Sequence, residues 1–387
     1  MAAPEPIFEP RGTPFSVVGR LKALSDMGHR VDLVTYGIGD NITLPGIRIL
    51  RIPSVPGIRK IKIGPSVQKI LLDFLLMIYT FRQLMWQSYD LLHTHEEAGF
   101  WGTAFSRWFG VPHIYDMHSS LPQQLANFEF TQSKMIRQFF NRLEYWVLKY
   151  ASAVITICPD LENHVAELFP ESGSVLIENV VDYNTIFGEQ DRSGELMKTL
   201  GLTGKHVALY TGTLEAYQGL DLLIQSATHV VRKNPKVIFL VVGGHPDQVN
   251  HYYSKVKYAR LSSHFIFTGQ VRPEEISSYI HCADVLVTPR ISGTNTPLKI
   301  YAYLRSGVPI VATRIWTHTQ VLDERTAQMT EPDPKEFASG IIKVLSDHPY
   351  RNALVCQAKA MARDRYSYSR YLQQMTRVIH LALQRGV

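Results

Sequence analysis

Residues 284–299 read Asp-Val-Leu-Val-Thr-Pro-Arg-Ile-Ser-Gly-Thr-Asn-Thr-Pro-Leu-Lys. The first five have the continuous apolar character of a strand buried on both faces. A polar loop containing Gly293 follows, and Thr296 as N-cap with Pro297 as first helical residue predicts a helix over 297–306. Strand, loop and helix form the repeating unit of a parallel α/β sheet. The unit recurs on both sides of this stretch. Strands are predicted at 207–210, 237–242, 265–267 and 309–312, and helices near 219–233, 246–261, 273–282, 334–347 and 349–365. The first half shows the same alternation. Strands are predicted at 30–36, 48–52, 91–94, 113–115, 153–157 and 174–178. Helices are predicted at 14–27, capped by Thr13 and opened by Pro14, and near 65–87, 97–109, 133–150 and 159–169. Residues 182–204 carry no predicted strand. The expected fold class is therefore α/β, with two Rossmann-like doubly wound domains facing a cleft. The domains are expected at 1–190 and 191–366, and a closing helical segment in 367–387 is expected to pack back toward the first.

Ligands of such sheets bind at the carboxyl ends of the strands, where loops run into helix N-termini. In the 284–299 stretch, unpaired backbone N–H groups and the positive end of the helix dipole suit a phosphate. Lys299 in the first turn opposes that dipole and is disfavoured unless an anion lies between. A solvated lysine on an ordinary turn is the plainer alternative, and Arg290 at the strand end favours the anion site. Three further strand ends of this half carry small residues: Tyr210-Thr211-Gly212-Thr213, Gly243-Gly244-His245-Pro246 and Gly269-Gln270-Val271. Each glycine alone does no more than shape a turn, but four such loops on one sheet edge suit close approach of backbone to a ligand.

The chain has 387 residues, 45% hydrophobic and 19% charged, which excludes a disordered protein and suits two cores. Its formal charge of +6 is too small for a general nucleic-acid binder. The charge is uneven: residues 1–190 carry 16 basic and 19 acidic side chains, and the remainder 24 and 15. A basic second half suits an anionic ligand held mainly by one domain. Cys158, Cys282 and Cys356 are too far apart to encode a disulfide framework or a zinc cluster. No apolar run reaches the ~18 residues of a membrane helix. Met1-Ala2-Ala3-Pro4-Glu5-Pro6 lacks the basic start and apolar region of a signal peptide. The expected setting is the cytoplasm.

These motifs resemble the GT-B glycosyltransferases, and within them the nucleotide-sugar-dependent retaining group known as family four. The resemblance covers nearly the whole chain. In the first domain it rests on Pro4-Glu5-Pro6 with Pro10-Arg11-Gly12-Thr13-Pro14, on Leu24-Ser25-Asp26-Met27-Gly28-His29, on Asp90-Leu91-Leu92-His93-Thr94-His95 and on Tyr115-Asp116-Met117-His118. In the second it rests on Tyr210-Thr211-Gly212-Thr213, Gly219-Leu220-Asp221-Leu222, Phe267-Thr268-Gly269-Gln270-Val271, and Pro297-Leu298-Lys299 with Ser306-Gly307-Val308-Pro309. The resemblance implies a nucleotide diphosphate sugar as donor substrate and no separate cofactor. Its base would lie against Gly269 and Val271. The diphosphate would lie on Gly212, Thr213 and Gly244 and on the helix start formed by Gly293, Thr294, Asn295, Thr296 and Lys299, with Gly12 contributing from the first domain. His118 takes the place of the family histidine that reaches the donor sugar; read alone, it is a strand-end histidine making one hydrogen bond. His118, Arg290 and Lys299 are the candidate catalytic residues. The acceptor is expected to be a cell-envelope glycan, a lipid or another acceptor.

The sequence also departs from the family. The usual arginine after the first glycine and lysine five residues later correspond to Thr213 and Gln218. The usual pair of glutamates corresponds to Thr294 and Ala302. These replacements leave open an inactive nucleotide-sugar-binding relative, or a GT-B epimerase that needs no acceptor. The family opens on a central strand of five or six apolar residues, whereas three residues precede Pro4. The first strand is therefore expected to be missing, with the true start upstream. No Asp-x-Asp motif or metal-ligand spacing occurs, so no metal is implied and Arg290, Lys299 and the helix N-terminus must stabilise the leaving diphosphate. No Gly-x-Gly-x-x-Gly follows a strand, which argues against a dehydrogenase. Finally, the stretch from Arg48 to Lys69 mixes Arg48, Arg51, Arg59, Lys60, Lys62 and Lys69 with isoleucines and no acid. That pattern suits the headgroup region of an anionic membrane on its inner face, or equally a solvated loop before a core helix.

Overall fold

The computed structural model describes residues 1–7, 12–39, 41–58, 67–120, 122, 134–180 and 191–386. The chain divides into two compact units, Met1–Asn179 with Tyr368–Val387, and Val180–Ser367.

The N-terminal unit holds a parallel seven-stranded sheet of order β3-β2-β1-β4-β5-β6-β7. Its strands are β1 (Ala2–Ala3), β2 (Val31–Thr35), β3 (Ile47–Arg51), β4 (Leu92–His95), β5 (His113–Met117), β6 (Ala153–Thr156) and β7 (Ser174–Leu176). Between them lie α1 (Gly12–Asp26), α2 (Val67–Trp86), α3 (Ala98–Phe109), α4 (Lys134–Tyr150) and α5 (Pro159–Leu168). The sheet does have its middle strand, contrary to the expectation from the sequence. Two residues suffice because Ala2 and Ala3, both fully buried, need only pair with the carboxyl-end half of β2 and with Thr94 of β4. The amide of Val34 donates to Met1 O at 2.9 Å, which extends the ladder by one position.

Helix α1 begins at Gly12 rather than after a Thr13 cap. Thr13 Oγ1 instead donates to Glu96 Oε1 at 3.3 Å, because the loop after β4 brings that carboxylate to the first turn.

The second unit holds a parallel six-stranded sheet of order β10-β9-β8-β11-β12-β13. Its strands are β8 (His206–Thr211), β9 (Val237–Val242), β10 (Phe265–Gly269), β11 (Val285–Thr288), β12 (Ile310–Thr313) and β13 (Gln328–Thr330). The helices α6 (Ser193–Thr199), α7 (Leu220–Lys233), α8 (Pro246–Tyr258), α9 (Ile276–His281), α10 (Lys299–Ser306), α11 (Trp316–Thr319), α12 (Pro334–Ser346) and α13 (His348–Arg365) cover it. Strands β8 and β9 are buried along most or all of their length, and Tyr210, Phe239, Val241 and Val287 form a core with Leu223, Ile224 and Phe337 of the covering helices. Sequence patterning missed α6, α11 and β13, all of seven residues or fewer, which are too short to display a period.

The last helix, α14 (Tyr368–Arg385), belongs to the N-terminal unit, where it packs on α1 and on β5, β6 and β7. Among the described residues no helix is long and apolar enough to cross a membrane.

Candidate active site

In the second unit the carboxyl ends of β10, β9, β8 and β11 bring their glycines into one row. The amide of Gly243 donates to Gly269 O at 2.8 Å, and that of Gly212 to Val242 O at 2.9 Å. Gly243 has φ +120° and stands so close to Gly212 that a Cβ there would lie 2.0 Å from Gly212 O. Only glycine meets both conditions. A Cβ on Gly212 would in turn lie 3.6 Å from Lys299 Nζ. Gly269, Gly243, Gly212 and Lys299 are thus contiguous. Gly244 sits over Leu214 as a turn residue, and Val271 lies partly buried two residues beyond the end of β10.

Lys299 is mostly buried. Its ammonium donates to Thr211 O at 2.9 Å and lies 3.8 Å from the centre of the Tyr210 ring. Burial, and after it the Arg290 charge, pushes the Lys299 pKa well below the ordinary lysine value. Arg290 donates to Ser292 O at 2.7 Å and to Asn295 O at 3.1 Å, and stacks 5.0 Å from the Tyr217 ring centre. Burial lowers its pKa as well. Neither cation has a carboxylate partner among the described residues. Two desolvated cations held by carbonyls and aromatic faces are an uncompensated positive field, which an anion relieves.

The loop before α10 differs from the expected capped turn. The helix begins at Lys299, with Leu298 at the N-cap position. Arg290 holds Asn295 O and Gln320 Nε2 holds Thr294 O at 2.6 Å, so the chain makes a tight turn at Pro297, where Ile300 N donates to Pro297 O. Thr296 is buried and its Oγ1 has no hydrogen-bond partner, so it is a pending donor beside the site rather than a cap. Gly293, with φ +125°, lies against the Arg290 guanidinium, where a Cβ would come within 2.2 Å. Of the positions that depart from the family, Thr213 gives its carbonyl to Tyr210 Oη at 2.6 Å. Gln218 leaves a buried Oε1 unpartnered.

In the N-terminal unit, His118 lies one residue past β5 in a buried charge network. Its Nε2 is 3.2 Å from Asp116 Oδ1 and 3.0 Å from His95 Nδ1. Asp116 also meets His93 Nε2 at 3.2 Å and Arg20 Nε at 2.8 Å, and Arg20 donates to Tyr371 Oη at 2.6 Å. Burial alone would raise the Asp116 carboxyl; Arg20, His118 and His95 reverse this and hold it well below the ordinary range. Burial depresses His93 and His95. The nitrogens of His93 and His95 and an oxygen of Asp116 lie within 4.8 Å of one another, a spacing that could hold an ion. Arg20 already supplies that carboxylate with a cation, so this donor set suits a charge network better than a metal. Glu96, at the end of β4, has φ +48°, unusual for a residue with a side chain. Its carboxylate accepts from Ser119 and Thr13.

The predicted residues therefore fall into two sets. Arg290, Lys299, Gly212, Gly243 and Gly269 share one sheet edge. His118 and Gly12 belong to the other unit, where Gly12 opens α1 with nothing within 4 Å of its would-be Cβ. Sequence reasoning missed Tyr210 and Tyr217 as seats for the cations, and Arg20 and Asp116 as the pair behind His118. The i, i+2 spacing of His93 and His95, and of Asp116 and His118, puts each pair on one strand face and was a usable signal. Of the basic stretch from Arg48 to Lys69, Arg59, Lys60 and Lys62 lie outside the described residues. Arg48 pairs with Asp32, and Lys69 with Glu97 at 2.9 Å.

Residues 205–347 match a family model of glycosyl transferases group 1, and residues 12–185 one of Glycosyltransferase Family 4. The fold is that of sucrose-phosphate synthase from Thermosynechococcus elongatus, with a TM-score of 0.75 at 19% identity, covering 96% of this chain and 93% of that one. The chain belongs to the GT-B glycosyltransferases. Anabaena HepE, solved with UDP-glucose, has the same fold at 17% identity and a TM-score of 0.73, covering 98% of each chain. An uncharacterized glycosyltransferase of Methanocaldococcus jannaschii is 22% identical over 385 residues, covering 95% of this chain and 93% of that protein.

Each unit of this glycosyltransferase buries a neutral histidine whose pKa burial pushes down to about 3: His113, bonded to Thr94, and His318, bonded to Thr288 and to the Thr313 carbonyl. Both values are depressed on folding, so the unfolded chain binds more protons as pH falls below about 6.5. Each histidine is expected to cost roughly 2 kcal/mol of stability between pH 6.5 and 5. Urea midpoints measured from pH 7.5 to 5 check this; a flat profile would contradict it, and His113→Gln should shallow the decline.

Proposed function

We propose that the second unit holds a nucleoside diphosphate sugar and that the enzyme transfers the sugar, with retention, to a cell-envelope glycan or lipid acceptor. The single observation behind this reading is the Lys299 and Arg290 pair, two desolvated cations without a carboxylate, set against the Gly212, Gly243 and Gly269 backbone. A diphosphate would lie on Gly212 and Lys299, with Arg290 behind the Gly293 loop and Thr296 Oγ1 as a further donor. The base would lie toward Gly269 and Val271. UDP and glucose are the ligands named for HepE, which supports a nucleotide sugar as donor class.

Cleavage of the glycosidic C–O bond sends its electron pair to the diphosphate oxygen and leaves an oxocarbenium-like sugar. Lys299 and Arg290 stabilise the charge that develops on the departing diphosphate, in a site where desolvation strengthens each interaction. In the proposed step the acceptor hydroxyl attacks from the face the diphosphate leaves, its oxygen forming the new C–O bond while its proton passes to the departing diphosphate oxygen, and no nucleophile of this chain takes part. In the N-terminal unit, His118, held by Asp116, is the proposed catalytic histidine.

The test is a thermal-shift panel of UDP-, GDP- and ADP-sugars. One sugar nucleotide is expected to raise the melting temperature, and Lys299→Met to abolish the shift. No shift with any of them would overturn the reading. A shift without transfer, hydrolysis or epimerisation would select a binder without turnover, for which the residues at Thr213, Gln218, Thr294 and Ala302 are the reason. Conversion of the free sugar nucleotide would select an epimerase.

A further inference from the structure

Helix α2 carries apolar side chains on its outward face as well as its inward one. Leu72, Leu76, Thr80 and Leu84 face the protein, while Ile70, Phe74, Ile78, Met85 and Trp86 lie on the opposite side, Trp86 with 73% of its surface exposed. At 100° per residue these five, with Leu71 and Arg82, occupy one continuous stripe of about 160°. The neighbouring helices also expose large apolar side chains. Helix α2 packs on α3 and α3 on α4, so the three form one layer over the sheet. Trp108 at the end of α3 is 77% exposed, and Met135 and Phe139 of α4 are 80% and 60% exposed. An outward apolar stripe of this kind on one helix, with further large apolar side chains exposed on its neighbours, is rare on a monomeric protein surface that faces only water.

The charge of this layer has one sign. The three helices contain two carboxylates, of which Glu144 is buried and Asp73 partly so. Asp73 is bonded to Tyr36 Oη, and Glu144 to Ser120 and His164. The exposed charges among the described residues are Arg82, Arg107, Arg142 and Lys149, and none of the four has a carboxylate partner. At the far end of α2 a groove of about 370 Å³ is lined by Arg48, Leu50, Tyr79, Arg82, Gln83 and Trp86. Arg48 is tied to Asp32 there, while Arg82 stands free over the Tyr79 ring.

We infer that the face formed by α2, α3 and α4 docks on an anionic lipid leaflet. Apolar side chains enter the headgroup region, the two exposed indoles sit at its depth, and the unpaired cations meet lipid phosphates. The Arg82 groove accommodates one headgroup. A second copy of the chain fits poorly, because a two-fold contact would press a purely cationic surface on itself. The inference rests on the proposed function in one respect only: a docked enzyme meets its acceptor as a lipid or lipid-linked glycan.

Co-sedimentation with vesicles tests it, using phosphatidylcholine alone and phosphatidylcholine with about one third phosphatidylglycerol. The enzyme is expected to sediment with the second and not the first, and to be released by salt. Phe74→Glu with Phe139→Glu should weaken binding roughly tenfold or more, as should Arg82→Glu with Arg142→Glu. All four positions are exposed, so the melting temperature should hold. Sedimentation no better with the anionic vesicles, or undiminished in both double variants, would overturn the inference. A concentration-dependent dimer that the same variants disperse would also overturn it, in favour of a second copy. The donor-induced thermal shift is read separately, so loss of vesicle binding with that shift intact leaves the proposed function standing.

Discussion

Lys299→Met is expected to lower kcat/KM by a factor of about 10² to 10³, the effect of deleting one preorganised charge on a developing anion. It is also expected to leave the fold nearly as stable as before. The two outcomes together make the prediction discriminating. Lys299 is a desolvated cation whose partners are the Thr211 carbonyl and the Tyr210 ring, and Arg290 adds repulsion. A structural lysine in that position would be costly to lose, whereas one held ready for an anion costs the free enzyme its desolvation, which methionine relieves. The pH dependence follows the same sign. The depressed Lys299 pKa means that donor affinity should weaken as pH rises through it, and the variant should lose that dependence. A loss of stability with unchanged kcat/KM would reverse the assignment. His118→Ala is expected to cut turnover at least about tenfold; full rates in both variants would overturn both assignments.

Asp116→Asn is expected to destabilise the N-terminal unit by about 3–5 kcal/mol. For a unit of this size that lowers its melting temperature by on the order of 10 °C. Arg20 and Asp116 are both fully buried, and the guanidinium also donates to Tyr371 and to the Ile177 carbonyl. Removing the carboxylate charge strands a buried cation; Arg20→Met strands the carboxylate among three histidines. The double variant should cost less than the two single changes added, because each residue's burial is the other's compensation. Asp116 is depressed on folding, so its contribution is present above about pH 4 and is lost as pH falls through its folded value. Tyr371→Phe removes one hydrogen bond and should cost about 1 kcal/mol. A cost below 1 kcal/mol for Asp116→Asn, as for an exposed pair, would mean that water reaches the pair.

The network around Asp116 shows where sequence reading ended. The pairs His93 with His95 and Asp116 with His118 could each be placed on one strand face, but their meeting depends on β4 and β5 pairing with His95 opposite Asp116. Register is a property of two strands at once, and no local pattern in either one encodes it. Arg20 comes from α1 and Tyr371 from a helix 351 positions later in the chain. Arg20 shares its helix with Lys22, Ser25 and Asp26, so no local pattern singles it out or names its partner.

The sequence by itself determined the alternation of strands and helices, the two doubly wound sheets, the glycines at the strand ends and the anomalous lysine at the start of a helix. Each is written in spacing over fewer than twenty residues, where backbone geometry and burial act directly on the chain. The tertiary structure decided the rest. It made a two-residue strand sufficient at the centre of the first sheet, because neighbouring ladders supply what its length lacks. It moved the start of α10 past Thr296, because Arg290 and Gln320 hold the preceding loop. It left the apolar stripe of α2 outward, where hydrophobic periodicity alone reads as core, because amphipathic spacing states that a face is buried without stating in what.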